Sequence, residues 1–492
     1  MQNNEIEQKQ FESTLKDAFA NMVVFKDLKN NNYFSSASIP SFLRDYLLKM
    51  FQDDDGIVDI DGIQKFINRY LPPCEDWVRI KAIIVNEYET VRLLTKIIVD
   101  VNIEKQVNSF ALPVFGLTLK DTYIPINIWQ RHSEELTTGK EKWGIVDLAY
   151  KNPQGAKETG KIMLVDFKDF CPYTVDLDSF KELRNKFTFD EWLCVLLGAM
   201  DYNPFKFESR TDKLTMIKRL LPFVEKRINL IELAPKSTGK SYVFGRLSRF
   251  GYLVSGGTVS RAKLFYDKQK KSQGLIFNYD FVSIDEVQTM TTTDIGDLRA
   301  SFMTYMEDGV YRGDSWTGTS TAGVVLLGNI DISLMNASAC LTENLPPLFK
   351  SSGVLDRFHG FIEGWKIPRM NDDLKINGFA LNTEYLTLML HKLRDDISYR
   401  SIVDSLIELP EGADTRNTEA VKRLATGFLK LLFPNVKSIE DVNIELFRQY
   451  CLEPAFEMRQ IIFNQMALMD QEFKSKEMPV LNIKAQYKKN AK

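Results

Sequence analysis

The chain is short of the residues on which most hydrolases and metal proteins depend. Its 492 residues include three histidines (His132, His359, His391) and five cysteines (Cys74, Cys171, Cys194, Cys340, Cys451). No C-x-x-C pair occurs, so a disulfide framework or a zinc site is not expected, and a reducing, cytoplasmic setting is. Metal centres rich in histidine are equally disfavoured. No apolar run approaches the roughly 18 residues of a membrane span, and the polar opening MQNNEIEQKQ is not a signal peptide. An excess of one charge is missing too, since 63 basic and 66 acidic residues leave a net −3. Any contact with nucleic acid must therefore come from a local basic surface. One further absence is more pointed. LAPKSTGKSYVF, residues 233–244, reads as a phosphate-binding loop whose first glycine is replaced by Ala234.

What is present is the composition of an ordinary globular protein, 44% hydrophobic and 26% charged, long enough for roughly two to four domains. The expected class is α/β, divided among several domains. Residues 1–91 read as helical, with FESTLKDAFANMVV and SIPSFLRDYLLKMF carrying apolar residues at three- and four-residue intervals. The acidic DDDGIVDIDG (53–62) does not fit a calcium loop, because counting back from either glycine puts Phe51 or Ile57 at the first ligand position. Residues 92–175 alternate in TKIIVDVNI, SFALPVFG, KWGIVDLAYK and KIMLVDFKDF, with turns at TTGK and NPQG, which predicts a small β-barrel or sandwich. A helical linker (176–226), a core of apolar strands (227–370), a helical segment with C-terminal helices (371–475) and a polar tail (476–492) complete the expected division.

Three apolar strands carry the chemistry. INLIEL (228–233) runs straight into the loop Pro235, Lys236, Ser237, Thr238, Gly239, Lys240, Ser241. Successive backbone N–H groups there suit phosphates, Lys240 reaches the β/γ-phosphates, and the Ser241 hydroxyl suits Mg²⁺. Alanine is the smallest side chain that can replace the first glycine, so the loop is expected to work. Farther downstream FVSIDE (281–286) ends in Asp285, a second Mg²⁺ candidate, and Glu286, the candidate base for the attacking water. AGVVLLGN (322–329) ends in Asn329, placed to hold that water. The order predicts a nucleoside triphosphatase using ATP and Mg²⁺.

That order resembles the AAA+ family of ring-forming ATPases. The resemblance implies Arg357 in LDRF as an arginine finger reaching a neighbour's site. It also makes Arg416 the second sensor on a lid helix within DTRNTEAVKRLATGFLKLLFP, with Arg423 in reserve. A narrower resemblance runs from about residue 12 to about 475. KDLK, FTFDEWLCVLLGAMDYNP, LLPFVEKRINLIELAPKSTGKS, YLVSGGTVSRAKLFYD, LLGNI and LDRFHGFIEGWKIP are similar to the Lon-like BrxL proteins of BREX anti-phage systems. Where that family has GPxGTGKS this chain has APKSTGKS, so two glycines differ. The resemblance implies an MCM-like N-terminal region with an OB-like barrel, an AAA+ motor, hexameric rings that can pair, DNA binding, and partners among other defence proteins. The family usually continues into a Lon-type protease-like domain. The stretch after Pro434 is too short for one, and its Ser438 and Ser475 lack a strand framework, so peptidase activity is expected to be absent.

Rings of this class pull nucleic acid or polypeptide. The segment YLVSGGTVSRAKLF lacks the aromatic–apolar–glycine grip of an unfoldase and leads instead to Lys268, Lys270 and Lys271. A hairpin-like YRGDSWTGTST (311–321) offers Arg312 to backbone phosphate and Trp316 to a base. The expected function is an ATP-dependent, ring-forming DNA-binding protein of phage defence. A nucleotide-gated scaffold with little hydrolysis and a protein-unfoldase subunit remain the other readings.

Overall fold

The continuous apolar runs of the sequence become a parallel sheet in the computed structural model, which describes residues 2–29, 39–53, 56–103, 106–137, 141–153, 158–169, 176–292 and 295–488. Its strands are β1 (Leu230–Ala234), β2 (Gly251–Val254), β3 (Phe281–Ile284), β4 (Gly323–Asn329) and β5 (Gly360–Glu363). They lie in the order β5-β1-β4-β3-β2, and every neighbouring pair is parallel. All residues of β1 and β3 are buried, as strands covered on both faces must be. The order puts β1 between β4 and β5. The carboxyl ends of β1, β3 and β4 therefore open on one edge, where ligands of such sheets collect.

The described residues form two compact units, one of residues 1–48 with 175–492 and one of residues 49–174. In the larger unit, helices Thr383–Leu393, Ser398–Leu406, Thr415–Leu432 and Glu453–Met469 follow the sheet. The smaller unit holds strands Val91–Asn102, Val107–Ala111, Thr122–Tyr123, Glu141–Lys151 and Lys161–Asp169. Helix Ile126–Thr137 lies between the third and fourth of these in sequence. Four of them pair antiparallel, Thr122–Tyr123 runs parallel to Lys161–Asp169, and a bridge from Asn108 to Ile124 joins the two edges. Phe110, Val146, Leu148 and Leu164 are fully enclosed within it. The expected turns at TTGK and NPQG fall mostly outside the described residues. Asp59 of the acidic stretch caps helix Ile60–Tyr70 by accepting from Gly62 N, a structural role.

Helix Ile126–Thr137 lies within the stretch expected to be strands, and the first helical stretch departs from the sequence reading too. The helical pattern of residues 11–24 ends at Phe19, and Val23–Asp27 is a strand antiparallel to Asn377–Leu381. The two valines keep the apolar spacing of the helix, but their β-branched side chains favour a strand once a partner is supplied. Lys26 on that strand is fully buried, and its Nζ meets Asp45 and Asp201, each at 2.9 Å. Arg44 Nη2 donates to Asp201 at 2.6 Å, and the Tyr242 hydroxyl donates to the same carboxylate. Tyr242 lies two residues beyond Lys240, so this buried network braces the segment behind the phosphate loop.

Candidate nucleotide site

β1 ends at the buried Ala234, and the chain turns through Pro235–Gly239 into helix Lys240–Arg246. Two residues of the turn are left-handed, Ser237 with φ +65° and Gly239 with φ +77°. Glycine takes that conformation freely. Ser237, at a position where the resembling family has glycine, holds it at a cost on the order of 1–3 kcal/mol. Positive φ at Ser237 and Gly239, with Thr238 of negative φ between them, is the kind of alternation that can turn successive N–H groups to one side, as in an anion-binding nest.

Lys240 is nearly buried and its Nζ donates to Asn329 Oδ1 at 2.8 Å. The contact follows from register, because Asn329 pairs with Ala234 across β1 and β4. Burial pulls the Lys240 pKa below the ordinary lysine value, while Glu232 and Asp285 oppose that shift. Asp285 follows β3 and is mostly buried, and its Oδ1 accepts from the Glu286 N–H at 2.8 Å. Glu286 is exposed and left-handed, with φ +46°, an unusual backbone for a residue with a long side chain. Asn329 N also donates to Gln288 Oε1 at 3.4 Å. Lys240, Asp285, Glu286 and Asn329 thus share the edge of the sheet that the loop occupies. Ser241 is exposed on the first turn of the helix, and Lys236 is exposed on the loop.

The arginines lie elsewhere. Arg357 precedes β5, at the amino ends of the parallel strands, whereas the loop follows the carboxyl end of β1. β1 alone has five residues, roughly 16 Å at ~3.3 Å per residue. Arg357 Nε donates to the Met303 carbonyl at 2.7 Å, and Nη2 pairs with Glu307 at 2.9 Å. Burial lowers its pKa against the pull of Glu307. Arg416 joins the same carboxylate at 2.9 Å and meets Asp356 at 2.8 Å. Neither arginine is brought to its own chain's Lys240. Arg423 is partly buried, with Nη1 on the Lys226 carbonyl at 3.1 Å, and burial with Arg227 nearby lowers its pKa to about 10.

The DNA candidates form one cluster. Hairpin Val310–Arg312/Thr317–Thr319 and hairpin Tyr266–Asp267/Ser272–Gln273 are joined by Tyr266 stacked on Trp316, with ring centroids 4.9 Å apart. Phe277 meets Trp316 edge-on. Arg312 pairs with Asp308 and Lys268 with Asp314, each at 2.6 Å, while Lys270 and Lys271 are exposed. Among the C-terminal serines, Ser438 caps a turn with Asp441, and Ser475 donates to the Glu472 carbonyl.

Sequence reasoning missed Arg219 and Glu232. Both are completely buried; Arg219 Nε donates to Glu232 Oε2 at 3.0 Å and Nη1 donates to the Thr238 carbonyl at 2.8 Å. The signal was available, because a lone carboxylate inside INLIEL, on a strand buried on both faces, requires a buried cation. Glu307 was missed as well, and nothing in its sequence context separates it from any helix-end acid.

Residues 162–479 match the family model described as Lon-like protease BrxL-like, ATPase domain. Residues 17–150 match that of the BREX system Lon protease-like protein BrxL N-terminal region. The chain is similar to the Lon-like protease BrxL of Escherichia coli O9:H4 (strain HS), 30% identical over 463 residues. That alignment covers 92% of this chain and 64% of the relative. It is similar also to the Lon-like protease BrxL of Bacillus cereus (strain H3081.97), 28% identical over 443 residues, covering 88% and 64%. The chain therefore spans less than two thirds of the length of these relatives.

Proposed function

From the premise that this chain belongs to the Lon-like BrxL family, we propose that it is an AAA+ ATPase of phage defence that forms rings and couples ATP hydrolysis to binding or moving DNA. The observation that carries the reading is the Lys240–Asn329 bond at the mouth of a left-handed phosphate loop, beside Asp285 and Glu286. Lys240 supplies a cation to the β/γ-phosphates, and nearby carboxylates help to keep it charged. Asn329 orients Lys240 and the attacking water. Glu286, exposed at the strand end, takes the proton from that water. Ser241 and Asp285 are both oxygen donors, which suits Mg²⁺. That ion, when bound, neutralises charge developing on the transferred phosphoryl group.

Ring assembly is supported by the place of Arg357, which faces away from its own loop and so has a neighbour's γ-phosphate as its target. Arg416 shares the carboxylate of Glu307 with it, so the second-sensor role also points toward a neighbour. The OB-like reading of residues 92–175 rests on the five-strand order, the single parallel pair and the joined edges. DNA contact falls to that barrel and to the hairpins carrying Lys268, Lys270, Lys271, Arg312 and Trp316. Hydrolysis by the purified protein with and without DNA tests the proposal, with Lys240→Ala as the control. Turnover that DNA stimulates and Lys240→Ala abolishes is the expected result. Normal hydrolysis by Lys240→Ala would remove the site, and indifference to DNA would remove the coupling.

A further inference from the structure

The carbonyl groups of the phosphate loop are tied down from behind. Thr238 O accepts from Arg219 Nη1 at 2.8 Å, Ser237 O accepts from the Met370 N–H at 2.6 Å, and Pro235 O accepts from Thr238 Oγ1 at 3.3 Å. Carbonyls fixed on the protein side leave the intervening N–H groups turned outward, toward an anion. Tyr202 backs the same turn so closely that a Cβ on Gly239 would fall 2.3 Å from its hydroxyl oxygen. The loop needs such restraint. Ser237 gives up the freedom that glycine has in a left-handed turn, so the anion-receiving form is not self-supporting.

Of these ties, only the one to Arg219 uses a charged side chain buried with its partner. Glu232 fixes the guanidinium on β1 with two donors, Nε at 3.0 Å and Nη2 at 2.5 Å, and the third nitrogen is left aimed at the loop. A buried ion pair is a poor way to gain stability, since apolar residues of similar volume often do as well or better. What an apolar pair cannot supply is the donor on Thr238 O.

We propose that Arg219 is a positioning residue for nucleotide binding, holding the phosphate loop in its anion-receiving form through Glu232 on one side and the Thr238 carbonyl on the other. This rests on the loop being a nucleotide site. The arginine touches no phosphate itself, and its effect passes through the direction of the Gly239 and Lys240 N–H groups.

The test uses the full chain, a non-hydrolysable ATP analogue, and melting temperature measured without nucleotide. The Arg219→Leu/Glu232→Leu double variant removes both charges together, so it should melt near wild type. Its affinity should nevertheless fall about tenfold, the weight of one hydrogen bond. Arg219→Lys keeps a charge beside Glu232 but lacks the fork that spans both partners. It too should stay folded and bind about tenfold more weakly. A purely structural pair makes the opposite prediction, with affinity returning wherever melting temperature returns. Either variant, folded as wild type and binding the analogue within about twofold of it, would overturn the role of Arg219. If the double variant does not fold, Arg219→Lys decides alone. A wild-type protein that binds no analogue would instead overturn the nucleotide reading on which the inference stands.

Discussion

Gly364 packs so closely on Ala234 that a Cβ added to it would sit 2.4 Å from the alanine methyl and 2.8 Å from the Leu233 carbonyl oxygen. The glycine missing from the start of the phosphate loop thus has its counterpart just past β5, where the space for the extra methyl is made. Gly364→Ala should lower stability by about 1–3 kcal/mol and weaken nucleotide binding. Adding Ala234→Gly should restore part of both, because it removes one of the two clashes. Melting curves and analogue affinities of the single and double variants check this. A harmless Gly364→Ala would sink it.

Glu286→Gln should keep ATP binding while hydrolysis drops steeply. The amide is nearly isosteric but takes no proton from water. The left-handed backbone at Glu286 is a local strain of the kind found where a side chain must be aimed. Analogue binding and phosphate release, measured side by side, separate the two effects. Loss of binding along with hydrolysis would make Glu286 structural.

Arg357→Ala should bind ATP nearly as well as wild type and hydrolyse almost none, since a finger in trans is typically worth on the order of 10³–10⁵ in rate. Mixed with Lys240→Ala protein, it should regain part of its turnover at interfaces that pair an intact loop with an intact finger. If Arg357 merely tethers Glu307 within one chain, mixing restores nothing.

Asp201 carries the clearest dependence on pH. Burial alone would raise its pKa, but Arg44 and Lys26 overcome that and hold it well below the ordinary carboxylate value of 3.8. The stability it contributes is therefore fully present above about pH 3.8 and is lost as pH falls toward the folded-state value. Asp201→Asn leaves two buried cations, Lys26 and Arg44, to share the one carboxylate of Asp45, and should cost about 3–5 kcal/mol at neutral pH. In acid the gap between variant and wild type should narrow. Denaturant midpoints at pH 7 and pH 3 measure it, and a constant gap would reject the assignment.

Much of the candidate nucleotide site was legible because parallel strands covered on both faces must be apolar throughout, so their polar ends stand out. GKS, DE and N announced themselves in that way, and the structure brings Lys240 and Asn329 into contact. The arginines could be named but not placed, since which end of the strands they occupy depends on how β5 is laid down. Val23–Asp27 was hidden by helical spacing and by a partner strand, Asn377–Leu381, that lies far along the chain from it. The Arg219–Glu232 and Lys26–Asp201 pairs were out of reach as pairs, because a buried charge advertises its need for a partner but not the partner's address.

The antiparallel pairing of Val23–Asp27 with Asn377–Leu381 has a consequence for how the protein is made. On the ribosome the segment Met1–Leu48 emerges early but belongs to a unit whose remainder is Val175–Lys492. It must wait, with the Lys26 ammonium solvated, until Asn377–Leu381 has left the exit tunnel. The segment Lys49–Thr174 has no such delay, because its pairings close among themselves. Synthesis should therefore finish the middle of the chain before its beginning, the reverse of the usual N-terminal-first order. Nascent chains arrested short of Asn377 should resist protease across the strands of Lys49–Thr174 and be cut within Met1–Leu48. Protection of both at that length would show that the opening segment folds without its partner strand.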